Sequence, residues 1–153
     1  MYAWGVGKAV PNETVRDRTF RYRPIWGMAI HEQPVLYSVD LESCTGVSAL
    51  TPEAAMTTFV DALTGAGATV VQMLSHNFPG AGLTCVVILA ESHAILHTWP
   101  ETGTVNIDIF SCSTRLKSLA AIEELGRSFG ATAVVVQEIP RADGHDHQAD
   151  RIH

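Results

Sequence analysis

The chain has 153 residues, 46% of them hydrophobic, which is the length and composition of one compact domain with a single core. Its formal net charge of −6 leaves no broad basic surface to neutralise phosphates, so nucleic acid is not expected as a partner. The sequence has no apolar run of about 18 residues that would cross a membrane, and its first residues lack the order of a secretory signal. We therefore expect a cytoplasmic protein whose partners are small molecules or proteins.

The predicted elements begin after an N-terminal arm of residues 1–33. Its arginines alternate with other residues in VRDRTFRYRP, a pattern typical of an edge strand or a solvated surface arm. The apolar, β-rich run PVLYSVDL then predicts a strand at about residues 35–41. Thr51 and Pro52 supply an N-cap and a first-turn proline for a helix, and Gly65 and Gly67 end it.

Strand-forming sequence dominates the next part of the chain, in the runs ATVVQMLSH, LTCVVILA, HAILHTW and TVNIDIFS. The last run alternates, so that Asn106 and Asp108 lie on the face opposite its valine and isoleucines. Ser113 or Thr114 is predicted to cap a second helix, with Gly130 as its stop, before a final strand in ATAVVVQEI.

The resulting order, β-α-β-β-β-β-α-β, predicts an α+β fold. Its simplest form is a two-layer sandwich of a mainly antiparallel sheet with two helices on one face. Runs such as CVVILA are apolar on both faces, so the other side of the sheet needs cover, which a second subunit or in part the N-terminal arm would supply. We divide the chain into the arm 1–33, one domain at 34–140 and a polar tail at 141–153.

The sequence contains three cysteines, Cys44, Cys85 and Cys112. Their odd number and the lack of CxxC spacing indicate reduced thiols, of which Cys44 and Cys85 are interpreted as small buried hydrophobes. His93 and His97 form HxxxH, which on a helix would offer two imidazoles to zinc, with Cys112 as a third ligand. Because the surrounding runs are β-rich, we expect no metal site.

The segment of residues 88–112, ILAESHAILHTWPETGTVNIDIFSC, concentrates reactive side chains in an apolar region. A serine hydrolase is disfavoured because Ser92 has no GxSxG elbow. Ser92 can instead attack its own chain, turning the Glu91–Ser92 peptide into an ester. A base that removes the serine α-proton then expels the Glu91 carboxylate, and the dehydroalanine left behind hydrolyses to a pyruvoyl group. This requires a base within about 3 Å and a second donor, for which His97 and Thr84 are the candidates.

The pattern ESHxxxHTWPExGxxxxDxFxC in this segment resembles the self-cleavage and active-site segment of the prokaryotic S-adenosylmethionine decarboxylase proenzymes. A looser likeness in VDLESC and HNFPGAGLTCVVILAESH extends the resemblance over about residues 35–139. It implies a pyruvoyl-dependent carboxy-lyase, made as a zymogen and cleaved between Glu91 and Ser92. Such an enzyme converts S-adenosylmethionine to its decarboxylated form and CO2 for polyamine and spermidine synthesis.

The same resemblance implies a role for each matching residue. Ser92 becomes the pyruvoyl cofactor and forms the Schiff base with substrate, His97 is the processing base, Thr84 is the processing helper, and Cys112 is the proton donor. For that role Cys112 has to stay protonated, which we expect from partial burial. The residues placed against the substrate are Phe78, Trp99 and Glu101. The family's dimers, with sites at the subunit interface, imply a homodimer of cleaved protomers.

Two alternatives remain open at this point. Thr102 stands where the family usually has an aromatic residue, and Glu42 stands where an uncharged ring is expected. This added polarity would suit a more hydrophilic ligand and motivates the runner-up, a related pyruvoyl-dependent decarboxylase acting on arginine, ornithine or a specialised-metabolism substrate. The other alternative is a non-processing paralogue that keeps the fold as a regulatory partner of an active enzyme.

Overall fold

The structure is a computed structural model that describes the backbone of residues 19–24 and the complete residues 34–112 and 116–141. These ranges contain seven strands and two α-helices. The elements are β1 Thr19–Pro24, β2 Val35–Glu42, α1 Pro52–Gly65, β3 Val70–Asn77, β4 Leu83–Leu89, β5 His93–Trp99, β6 Thr104–Ser111, α2 Ser118–Ser128 and β7 Ala133–Pro140. From β2 onward this is the predicted order. The predicted arm and tail otherwise lie outside the described residues, and the predicted domain boundaries stay a prediction.

All seven strands form one sheet, in the order β1-β7-β2-β6-β5-β4-β3. The six strands from β2 to β7 pair antiparallel, whereas β1 joins the edge of β7 in the parallel direction. Part of the arm is therefore an edge strand, which was one of the two forms considered for it. The predicted mainly antiparallel sheet is confirmed.

Both helices pack on one face of the sheet, as predicted, because alternate strand residues and one stripe of each helix are apolar. In β6 the buried residues are Val105, Ile107 and Ile109, which face the helices. Helix α1 buries Ala55, Phe59, Ala62 and Leu63, whose spacing of four, three and one defines one stripe. Phe59 from α1 and Phe129 beyond α2 are both fully buried. Burial of such a side chain contributes about 1.5–3 kcal/mol, so these two rings join the helices to the sheet.

The helix ends match the predicted signals at three positions and differ at one. Thr51 Oγ1 accepts a hydrogen bond from the backbone N–H of Ala54 at 3.2 Å, and Pro52 is the first residue of α1. Gly130 ends α2 with a φ of +67°. The predicted cap of α2 is wrong, because the N-cap is Lys117 and makes no side-chain cap bond. The residues predicted for that cap, at positions 113 and 114, lie outside the described residues.

The second face of the sheet carries no helix in the described part of the chain. Apolar side chains on this face, such as Val86 and Ile95, are only half-buried, and Ile88 is 46% exposed. We refer to it below as the open face. Strand β3 at the sheet edge is exposed too, with Leu74 at 71%. None of the helices in the described ranges is long and apolar enough to span a membrane.

Candidate functional site

The Glu91–Ser92 peptide lies at the tip of the hairpin that joins β4 to β5. The N–H of Leu89 donates to the carbonyl of Ser92 at 2.9 Å, and the N–H of Ala90 donates to the carbonyl of Thr69 at 3.0 Å. Glu91 is exposed and Ser92 is half-buried. The bond predicted to break therefore lies in a tight, accessible turn, outside the sheet ladder that holds the two strands together.

A small cavity lies beside this turn, on the helix side of the sheet. It has a volume of about 40 Å³ and is bounded by Ser92, by residues 67–69 before β3 and by Leu116 before α2. Small-molecule sites usually need about 300–1,000 Å³, so this cavity is too small for a nucleoside. At about 10–15 Å³ for each water molecule, it is large enough for water next to the predicted cleavage point.

Cys112 lies at the same end of the sheet as the hairpin tip. It follows β6, whose Phe110 is paired with His93 at the start of β5. Partial desolvation of the thiol, and then the nearby Glu91 carboxylate, raise the pKa of Cys112. Both effects favour the protonated thiol, as the predicted proton donor requires. The expected partial burial of this residue is wrong, however, because Cys112 is exposed at the end of its strand. Cys44 and Cys85 are buried, as predicted.

Thr84 and His97 form a cross-strand pair between β4 and β5. Thr84 Oγ1 lies 2.5 Å from His97 Nδ1, which is a short hydrogen bond, and both side chains are half-buried on the open face. The structure therefore brings together the predicted base and the predicted helper. A hydroxyl held on one ring nitrogen fixes the imidazole plane and leaves Nε2 for another partner.

Aromatic rings enclose His97 on the open face. The His97 ring centroid lies 4.4 Å from that of Trp99 and 5.7 Å from that of Phe78. Phe78 also meets the edge of His76 at 4.6 Å, a contact that the sequence had not suggested. Glu101 is exposed in the turn that follows Trp99. Two of the residues predicted to bind substrate, Phe78 and Trp99, thus lie against the histidine, and Glu101 lies at the same end of β5.

The predicted site residues fall into two groups at opposite ends of β5. Glu91, Ser92 and Cys112 form the cleavage group, and the histidine group is Thr84, His97, Phe78, Trp99 and Glu101. Ser92 and His97 are five positions apart along an extended chain, which puts their Cα atoms about 16 Å apart at 3.2–3.4 Å for each residue. Ser92 also borders the cavity on the helix side, whereas His97 lies on the open face. The expectation of a base within hydrogen-bond reach of Ser92 is therefore not met within one chain.

The zinc alternative fails for a related reason. His93 and His97 lie on a strand and not on a helix, so about 13 Å separates their Cα atoms. The His93 ring packs instead against Phe110, with centroids 5.2 Å apart. Among the described residues, no group of three or more histidine, cysteine or acidic side chains is placed to hold a metal ion.

Sequence reasoning missed two polar residues that reach the histidine group. The indole N–H of Trp99 donates to Asn106 Oδ1 at 2.7 Å, and Asn106 Nδ2 donates to Asp40 Oδ1, also at 2.7 Å. The alternation in TVNIDIFS had placed Asn106 on the correct face. Its partners depend on the register of β2, β5 and β6, which the sequence does not contain.

The described chain is thus a two-layer α+β protein with a serine in an accessible hairpin tip, a thiol at the same end and a hydroxyl–histidine pair on the open face. Residues 36–142 match the family described as S-adenosylmethionine decarboxylase. Since this match spans well over half of the chain, the chain belongs to that family, and the resemblance seen in the sequence is confirmed.

Bacterial relatives agree with this assignment. The chain is 40% identical over 86 residues to S-adenosylmethionine decarboxylase proenzyme 2 of Halalkalibacterium halodurans, covering 56% of this chain and 68% of the relative. It is 38% identical over 86 residues to the S-adenosylmethionine decarboxylase proenzyme of Shouchella clausii, covering 56% and 67%. The crystal structure of the adenosylmethionine decarboxylase from Aquifex aeolicus VF5 matches with a TM-score of 0.65 at 23% identity. It covers 74% of this chain and 93% of that one, and it shows the shared fold.

Proposed function

We propose that the chain is a self-processing, pyruvoyl-dependent carboxy-lyase that removes CO2 from S-adenosylmethionine, giving the decarboxylated form used in polyamine synthesis. The observation that carries this proposal is the complete cleavage motif on a family member's fold, with Ser92 at an accessible hairpin tip. The relatives named above are decarboxylase proenzymes.

The alternative substrates lose one of their two motives, the polarity of Thr102, in the structure. The hydroxyl of Thr102 bonds within its own turn, to the Trp99 carbonyl at 3.4 Å and to Thr104 Oγ1 at 3.1 Å. It is thus already engaged there. Arginine, ornithine and specialised-metabolism substrates are therefore second to S-adenosylmethionine.

Maturation begins when the Ser92 hydroxyl attacks the Glu91 carbonyl carbon. The new C–O bond replaces the C–N bond, which leaves an ester and a free amine on Ser92. A base then removes the Ser92 α-proton, and the bond between Cβ and Oγ of Ser92 breaks. The leaving group is the main-chain carboxylate of Glu91, which keeps that oxygen. Water adds to the resulting dehydroalanine and releases ammonia, so the fragment of residues 92–153 begins with a pyruvoyl group. The half-buried serine next to a water-sized cavity fits this sequence of steps.

When formed, the pyruvoyl group supplies a carbonyl that condenses with the substrate amine and accepts the electrons released on decarboxylation. The chain supplies the proton that replaces CO2. Cys112 is the candidate, because its raised pKa keeps the thiol protonated at neutral pH and it lies at the same end of the sheet as Ser92. Phe78, Trp99 and Glu101 are the candidates for holding the substrate.

We further propose that the active form is a homodimer in which His97 and Thr84 of one protomer serve Ser92 of its partner. Three observations support this: the separation of the two groups, the small size of the cavity beside Ser92 and the uncovered apolar side chains of the open face. Sheets that stack through such faces lie about 10 Å apart. A two-fold axis that lies between the two stacked sheets and runs perpendicular to the strands reverses the strand direction of the partner. It would bring the cleavage group of one protomer toward the histidine group of the other.

Denaturing mass spectrometry of the purified chain tests the proposal. We expect two fragments, residues 1–91 and 92–153, with a carbonyl-reactive terminus on the second. Ser92→Ala abolishes the cut and serves as the matched control. Release of labelled CO2 from S-adenosylmethionine, arginine and ornithine, measured in parallel, identifies the substrate. A chain that stays intact after long incubation would support the non-processing paralogue instead.

A further inference from the structure

Asn106 occupies the centre of a row of paired residues that crosses the open face. In this row Thr84 pairs with His97, His97 with Asn106, and Asn106 with Asp40, each on the neighbouring strand. Asn106 is half-buried and uses both ends of its amide: Oδ1 accepts from the Trp99 indole and Nδ2 donates to Asp40, each at 2.7 Å. Neither Asn106 nor Asp40 has a part in the chemistry described above.

The chemistry of the three groups fixes the direction of this chain of hydrogen bonds. An indole N–H can only donate and a carboxylate can only accept, so the amide between them has a single orientation that satisfies both. The bond to the carboxylate is charge-assisted and is the stronger kind. Asp40 therefore holds Asn106, and Asn106 presents its oxygen to Trp99.

Trp99 needs such a restraint. It is the last residue of β5 and is 43% exposed, so packing alone covers little more than half of it. Its only polar atom is the indole nitrogen, and a bond there selects one rotation of the ring. In that rotation the centroid of the indole ring lies 4.4 Å from that of the His97 imidazole, whose Nδ1 is bonded to Thr84.

We propose that Asp40 and Asn106 form a positioning pair that holds the Trp99 indole against His97. Asp40 acts through Asn106, and Asn106 acts through Trp99. The pair thereby fixes the position of the Trp99 ring, which we call the aromatic wall of the histidine group. It also restrains the His97 imidazole that this ring contacts. The effect on catalysis rests on the function proposed above, whereas the effect on Trp99 does not depend on it.

The first test reports on Trp99 in the intact Ser92→Ala chain, where neither cleavage nor turnover is needed. Trp4 and Trp26 are replaced by phenylalanine, so that Trp99 gives the only indole N–H signal in a ¹H–¹⁵N NMR spectrum. Asn106→Leu should shift this proton upfield and speed its exchange with solvent, because the acceptor is lost. Gln137→Leu is the matched control, since it removes an exposed amide of β7 that makes no contact with Trp99. An unchanged signal in Asn106→Leu would overturn the proposal.

Two variants of Asp40 keep the test decisive should Asn106→Leu fail to fold. Asp40→Asn retains an oxygen acceptor and should preserve the Trp99 signal. Asp40→Ala removes it, frees the Asn106 amide and should move the signal in the same direction as Asn106→Leu. Equal signals from the two Asp40 variants would overturn the role given to Asp40.

The second test measures the effect on the reaction, in chains with the native Ser92. Loss of one partly exposed hydrogen bond should slow self-cleavage about five-fold in Asn106→Leu and Asp40→Ala. In cleaved enzyme the same variants should raise KM more than they lower kcat, because the wall acts on substrate binding, while Asp40→Asn stays near the native values. A moved Trp99 signal with unchanged cleavage and KM would overturn the functional half of the proposal. Absence of cleavage in the native chain would refute the proposed function. The NMR experiment would then still test whether Asp40 and Asn106 position Trp99.

Discussion

The distance between Ser92 and His97 predicts that the base for self-cleavage comes from a partner protomer. About 16 Å of extended strand lies between the two residues, whereas proton transfer needs a heavy-atom distance of about 3 Å. Within one chain the two Cα atoms are thus about 16 Å apart, and the two side chains lie on opposite sides of the sheet, so the imidazole is not in hydrogen-bond contact with Ser92. If a partner supplies the base, a chain that lacks His97 can still be cut.

We therefore expect complementation between His97→Ala and Ser92→Ala chains. Each variant alone should stay intact, because the first has no base in either protomer and the second has no nucleophile. When the two are co-expressed in equal amounts with different tags, random pairing puts about half of the His97→Ala chains with a Ser92→Ala partner. Those His97→Ala chains should be cut, and the Ser92→Ala chains should remain whole.

Denaturing gel electrophoresis and mass spectrometry of the separated tags measure the two populations. Thr84→Ala in place of His97→Ala provides a second pair that should behave in the same way, because Thr84 bonds to the same imidazole. Complete absence of cutting in the mixed sample, with dimers shown to have exchanged, would refute action across the interface. Efficient cutting of His97→Ala expressed alone would refute the role of His97 itself.

Three further predictions concern single residues. In the uncleaved Ser92→Ala chain, Glu91→Gln removes a negative charge that helps to raise the pKa of Cys112, so the thiol should ionise more readily and react faster with iodoacetamide at pH 8. Burial, followed by the charge of Glu138, raises the pKa of Tyr37 to about 12, so its contribution to stability is complete below pH 10 and is lost as the pH rises toward 12. Tyr37→Phe should therefore flatten this alkaline fall, by about 1 kcal/mol after allowance for solvent exposure, in urea titrations across that range. Gly130→Ala should lower the free energy of unfolding by about 1–3 kcal/mol, because the φ of +67° disfavours a side chain, and thermal denaturation measures the loss.

Most of the secondary structure could be predicted because its causes are local. Alternating apolar residues in TVNIDIFS give a half-buried strand, and Thr51 with Pro52 marks the start of α1. The start of α2 was misplaced because Ser113 and Thr114 offered better capping side chains than Lys117. Tertiary packing decided that end, since the N–H of Lys117 bonds to the carbonyl of Ala66 beyond α1.

The sequence could predict which residues belong to the candidate site. It could not predict which of them are neighbours in space. Thr84 and His97 are thirteen positions apart, and only the antiparallel register of β4 and β5 makes them neighbours. Ser92 and His97 are close in sequence, but an extended strand carries them apart. The link from Asn106 to Trp99 depends on strand register as well, so no spacing rule could have revealed it.

The proposed cleavage at the hairpin tip would leave two fragments whose strands alternate in the sheet. Cutting after Glu91 gives one fragment that carries β1 to β4 and another that carries β5 to β7. In the sheet, β7 lies between β1 and β2, and β2 lies between β7 and β6, so the fragments interleave. The two fragments cannot separate without breaking the backbone hydrogen bonds between several pairs of strands.

Refolding after denaturation would therefore differ between the cut protein and its precursor. The sheet of the uncut chain forms within one molecule, so this step, which precedes any pairing of protomers, does not depend on concentration. The two fragments would first have to associate and then pair their strands in alternating order. The yield of refolded protein should therefore depend on fragment concentration. On the proposed cleavage, the chain would have to fold before it is cut, because two separate fragments would have to associate in order to form the same sheet.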